Sequence, residues 1–109
     1  MSLGADITEK DTSGLCASHA AADRGHLYVL KYLVSLGADV REPDSKNGRT
    51  TLFHAASSGH LDVVKYLVIL RADVMEPDSH GRTATFYAAA CGKLVIVKYL
   101  VSLGADVIE

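Results

Sequence analysis

Hydrophobic and polar positions alternate in this chain with a helical period, most clearly between Leu61 and Ile69. At 100° per residue, Leu61, Val63, Val64, Tyr66, Leu67 and Val68 cover an arc of roughly 220°. Asp62, Lys65 and Ile69 fill the narrow stripe that remains. A helix on the surface of a globular core needs a smaller apolar face than this. The pattern therefore predicts a helix buried by a partner helix and by a neighbour on each side, the arrangement found in a solenoid. The segment recurs: Gly25–Val40 precedes Gly59–Val74 by 34 residues, and Gly92–Val107 follows it by 33. A fixed period of this size marks a stacked array of repeats.

A shorter helix is predicted before each long one, at about 17–24, 51–58 and 84–91. Its body is small: Ala20-Ala21-Ala22, Ala55-Ala56 and Ala88-Ala89-Ala90. Alanine favours the helix and lets a second helix come close. Gly25, Gly59 and Gly92 end these helices where a left-handed residue is wanted, and the second helices start near Leu27, Leu61 and Leu94. Gly37 and Gly104 close two of the second helices, but Arg71 holds the matching place in the other. A left-handed backbone there would cost Arg71 on the order of 1 kcal/mol against glycine. The repeats are joined by polar turns: Thr8–Ser13 before Gly14, Pro43–Gly48, and Pro77–Gly81. The second of these carries one extra residue around Lys46, which accounts for the spacing of 34. Insertion at an exposed tip costs little, because closure entropy grows slowly with loop length.

The expected fold is all-α, a solenoid of stacked helix-turn-helix repeats. The repeats are placed at 11–43, 44–77 and 78–109, after a stub of a preceding repeat at 1–10. Leu3-Gly4-Ala5-Asp6-Ile7 matches Leu36-Gly37-Ala38-Asp39-Val40, so the chain reads as a piece excised from a longer array, or with Met1-Ser2-Leu3 partly a vector scar. An apolar fraction of 49% with 22% charged residues fits an ordinary soluble domain. No apolar run approaches the roughly 20 residues that span a bilayer; the longest, Leu94–Leu103, is interrupted by Lys98. The amino-terminal residues show neither the basic nor the apolar segment of a secretory signal. Cys16 and Cys91 lie two repeats apart, too far for a disulfide, and reduced cysteines suit a cytoplasmic or nuclear setting. A net charge of −2 speaks against a nucleic-acid footprint.

The repeated residues resemble the ankyrin repeat, a turn plus two antiparallel helices of 33 residues. The resemblance spans essentially the whole chain. It rests on Gly25-His26-Leu27, Gly59-His60-Leu61 and Gly92-Lys93-Leu94, on the Lys-Tyr-Leu-Val of each long helix, and on Ala-Asp-Val in all three copies. The family's Thr-Pro-Leu-His is poorly kept, as Cys16-Ala17-Ser18-His19, Thr50-Thr51-Leu52-Phe53 and Thr83-Ala84-Thr85-Phe86. The resemblance implies threonine–histidine hydrogen bonds that staple turn to helix; only His19 keeps the histidine, so weaker local capping is expected. Arg41, Met75 and Ile108 stand where many members carry an asparagine, so hydroxylation at that place is not expected.

Candidate chemistry is thin. His26 and His60 occupy the family's own histidine position. Cys16 and His19 could share a helix face, but two ligands do not make a zinc site, and neither metal nor cofactor is expected. His54 on a short helix and His80 at a turn tip could touch a partner or stand solvated. Ser57 and Ser58 near His54 or His60 have no third group to orient a base and no surrounding nucleophile-elbow glycines. No glycine cluster forms a phosphate loop, so no catalytic residue is assigned. Lys31, Lys65 and Lys98 should form a ladder on the outer helices, read as a solvated face. Tyr28, Ile69 and Val95 interrupt that polar stripe, and the last helix pair lacks the polar substitutions of a terminal cap.

The resemblance implies a protein–protein interaction module rather than an enzyme. Its partner would be bound through turn tips and short inner helices. By position those residues are Thr12, Ser13, Leu15, Asp23 and Arg24; Lys46, Asn47, Arg49, Ser57 and Ser58; and Ser79, His80, Arg82, Ala90 and Cys91. Arg24, Arg49 and Arg82 are the expected anchors, since arginine pairs bidentately with carboxylates and is enriched among interface hot spots. The alternative is a structural segment whose copies stack head to tail through exposed terminal repeats, a heterologous contact that need not close.

Overall fold

The structure, a computed structural model, describes residues 15–104. These form six α-helices and no strand: α1 (Ala17–Asp23), α2 (Leu27–Ser35), α3 (Thr51–Ser58), α4 (Leu61–Ile69), α5 (Ala84–Ala90) and α6 (Leu94–Ser102). Short helices α1 and α5 end one residue earlier than the sequence predicts, at Asp23 and Ala90. The helices lie in chain order along a body of 47 × 25 × 21 Å. Each short helix packs on the long helix after it, and the inner helices form a row, α1 on α3 and α3 on α5. Alanine makes the row compact: Ala21, Ala22, Ala55, Ala56 and Ala88 are all buried. The outer helices meet more sparingly, as their larger side chains require.

Helix α4 matches its predicted arc closely. Val63, Val64 and Leu67 are fully buried, Leu61, Tyr66 and Val68 are partly so, and Asp62, Lys65 and Ile69 are exposed. Around it Leu30, Leu52, Phe53, Ile96 and Leu100 complete one continuous core. At roughly 25 cal/mol per Å² of apolar surface, such burial is the main source of cohesion between units. Tyr28, Ile69 and Val95 stand out in solvent, where the polar stripe placed them.

The helix ends follow from backbone conformation. Gly59 caps α3 in the left-handed region at φ 82°, and its N–H returns to the Ala56 carbonyl. Arg71 adopts φ 70° after α4, so the strain anticipated at that position is present. No side chain caps the first turn of α3 or α5 at Thr50 or Thr83. The hydroxyls of Thr51 and Thr85 are buried without a hydrogen-bond partner. Capping at those N-termini is weak, as expected.

The loss is made good one residue later. In α1, the Nδ1 of His19 accepts the Cys16 N–H at 3.2 Å, and its Nε2 lies 2.9 Å from the Glu42 carbonyl, to which it donates. Where Phe53 and Phe86 replace that histidine, the next residues reach the turn instead. His54 Nε2 lies 3.2 Å from Asp44 Oδ2, and the Tyr87 hydroxyl donates to Asp78 Oδ2 at 2.6 Å. His54, read from the sequence as a partner contact or a solvated ring, is thus largely buried as a fastening between helix and turn.

Candidate functional site

The two described turn tips, Pro43–Gly48 and Pro77–Gly81, are each built on a buried aspartate. Asp44 accepts the Asn47 N–H at 2.7 Å and donates its own N–H to the Arg49 carbonyl at 2.8 Å. Asp78 repeats this, accepting the His80 and Arg82 N–H groups at 2.9 and 3.0 Å. Arg49 Nε adds a contact from the previous repeat, 3.3 Å from Asp78 Oδ2. Burial pushes the Asp78 carboxyl up, but Tyr87, the two backbone N–H groups and Arg49 outweigh it and hold it down at about 2. Asp44 is also lowered: burial opposes the shift, while Asn47, His54 and Arg49 drive it. His54 is lowered by burial and by the neighbouring His19, against the pull of Asp44. These hydrogen bonds engage the carboxylates of both Asp44 and Asp78 in tying the tips to the helices.

The candidate contact residues divide accordingly. Thr12 and Ser13 lie outside the described residues. Asp23, Arg24, Lys46, Ser79, His80, Arg82, Ala90 and Cys91 are exposed, whereas Leu15, Asn47, Arg49, Ser57 and Ser58 are partly covered. Several spend their polar groups across the repeat boundary. The Asn47 carbonyl accepts the Ser79 N–H at 2.9 Å, and the Ser58 hydroxyl donates to Asp23 Oδ1 at 2.8 Å. Arg49 is the most committed, since its guanidinium also sits 4.3 Å from the centre of the Tyr87 ring. Arg82, at the equivalent position, instead covers its own Phe86 at 4.9 Å and remains exposed. Replacing Arg49 would therefore disturb packing as well as any contact.

Cys16 and His19 do meet, with Sγ 3.4 Å from Nδ1, inside the cap already described. The lysine ladder has a structural side as well. Lys31 Nζ lies 5.5 and 5.4 Å from the Tyr28 and Tyr66 rings, and Lys65 Nζ 5.7 Å from the Tyr99 ring. Each ammonium thus leans on an aromatic face of the next repeat. The sequence showed the lysines and tyrosines recurring, and that shared period was the signal for their pairing.

A shallow groove of about 340 Å³ is lined by Gly59, Gly92, Lys93, Leu94, Val95 and Ile96. Lys93 is its only charged residue, and it gathers no constellation of nucleophile, base and orienting group. No helix among the described residues is long and apolar enough to cross a membrane.

Comparison with known proteins accords with this geometry. A family model described as "Ankyrin repeats (3 copies)" matches residues 1–78 and again 44–109. Among curated proteins, the chain is 42% identical over 50 residues to "NF-kappa-B inhibitor cactus" of Drosophila yakuba and of Drosophila melanogaster. The match covers 46% of this chain and 10% of the length of each relative.

Proposed function

Because this chain belongs to the ankyrin-repeat family, we propose that it is a binding module for another protein, docked across its turn tips and inner helix ends. Ankyrin repeats are generally protein–protein interaction modules, and the relatives carry the name of inhibitors that act on another protein. The observation that supports the reading most is the exposure of Lys46, His80 and Arg82 on turns held by buried aspartates, with Arg24 exposed at the end of α1. Rigid presentation lowers the ordering cost of binding. Three exposed cationic side chains, Arg24, Lys46 and Arg82, favour an acidic segment of the partner. Thr12, Ser13, Leu15, Asp23, Asn47, Arg49, Ser57, Ser58, Ser79, Ala90 and Cys91 complete the surface in this reading. The repeats would divide at 11–43, 44–77 and 78–109 after the stub at 1–10. The module would work without catalysis, in the cytoplasm or nucleus.

Affinity capture with the chain as bait tests this, comparing wild type with Arg24→Ala and Arg82→Ala. Loss of the captured protein with unchanged thermal melting is the expected result. Arg49→Ala belongs in a separate arm, because it should lower the melting temperature too. Capture that survives both exposed arginine substitutions would place the contact elsewhere.

A further inference from the structure

Equivalent positions in the three repeats are covered unequally, and the differences describe a partner. Val63 and Ile96 are 0% and 1% exposed, yet their counterpart Val29 is 52% exposed. Tyr32 is likewise open where Tyr66 and Tyr99 are partly buried. At the other end the imbalance reverses: Phe86 and Leu94 are exposed where Phe53 is sealed and Leu61 half-buried. The molecule thus carries a head face around Val29 and Tyr32, and a tail face around Phe86 and Leu94. These are the two halves of a contact that it already makes twice within itself.

Two further observations narrow the occupant. Along the outer helices Lys31 leans on Tyr66 and Lys65 on Tyr99. Among the described residues, Lys98 has no ring after it and Tyr32 no lysine before it. Along the inner edge, the His60 ring packs over Gly25, where an added Cβ would come within 2.5 Å of Nδ1, and His60 Nε2 donates to the Asp23 carbonyl at 3.1 Å. At Gly92 the same place is empty, with nothing within 4 Å of a Cβ position, and it opens on the groove beside Leu94. At the other junction the Lys93 stem fills this place over Gly59. A fitting occupant therefore carries a long or ring side chain there and a tyrosine six residues on, the spacing of His26 and Tyr32. This chain's own first repeat has both.

We propose that the tail of one copy receives the head of a second copy, with His26 over Gly92, Lys98 over Tyr32, and Val29 covered between them. The contact is heterologous and does not close on itself. It adjoins the tip surface at Phe86, over which Arg82 lies. It is carried, however, by Val29, Tyr32, Leu94 and Lys98, which that surface does not use, so it goes beyond the binding role above. Between separate chains, with no linker to hold the two faces together, the association is reversible.

Sedimentation of the full chain from about 10 to 500 µM, the range of weak association, tests the proposal. The weight-average mass should rise without stopping at a dimer. Val29→Asp spoils only the head and Leu94→Asp only the tail, so each alone should remain monomeric. Mixed in equal amounts they should form a dimer and grow no further. Lys98→Ala should weaken self-association roughly three-fold, the loss of one exposed cation–π contact. Should an aspartate variant melt early, Tyr32→Ala and Lys98→Glu replace the pair. A wild-type monomer at every concentration, a dimer of Val29→Asp alone, or a mixture that stays monomeric would each overturn the idea.

Discussion

Val63 and Val29 hold the same place in consecutive repeats, and only one of them is dry. Leu67 and Leu33 show the same contrast more mildly, fully buried against partly buried. The side chains match and the helices match; the cover differs. In a stack, burial belongs to an interface between neighbours rather than to a unit. Among the described residues, the middle helix pair is sealed on both sides, and each outer pair on one. Stability should therefore concentrate in α3 and α4, although no residue type distinguishes them.

The largest effect that would sharpen this contrast is Leu67→Ala, expected to cost about 3 kcal/mol by urea unfolding. Leu33→Ala should cost about half as much, and equal losses would break the comparison. Next comes Asp78→Ala, which orphans the donors of Tyr87, Arg49, His80 and Arg82 and should cost about 2–3 kcal/mol. Acid titration gives a smaller signal. The folded Asp78 carboxyl is held at about 2 against an ordinary 3.8, so its contribution is complete above pH 4 and disappears as pH falls toward 2. It should amount to on the order of 1–2 kcal/mol. The acid limb of a melting-temperature profile should flatten in Asp78→Asn. The smallest change is a gain: Arg71→Gly relieves the left-handed backbone and should raise stability by up to about 1 kcal/mol.

Much of this architecture was legible in the residues. The broad apolar arc of α4 foretold burial on several sides, and Arg71 announced its strain by standing where Gly37 and Gly104 stand. What escaped depends on contacts between units. His54 and Tyr87 took over the fastening from the missing histidine because Asp44 and Asp78 turn inward, and no local pattern shows which way an aspartate in a turn will face. Arg49 and Arg82 look interchangeable as letters. Arg49 reaches forward to Asp78 and Tyr87, whereas Arg82 lies over its own Phe86. Periodicity describes a unit and is silent about whether another stands beside it. The candidate surface was legible as a row of positions, but not which members were already engaged.

The additional residue near Lys46 makes Asp44 and His54 ten positions apart where Asp78 and Tyr87 are nine, yet both fastenings close. One inserted codon has been absorbed within a single fingertip, and the helices on either side keep their phase. Lineages that lengthen or trim these fingertips could thus reshape what the protein touches, unit by unit, without renegotiating the interior.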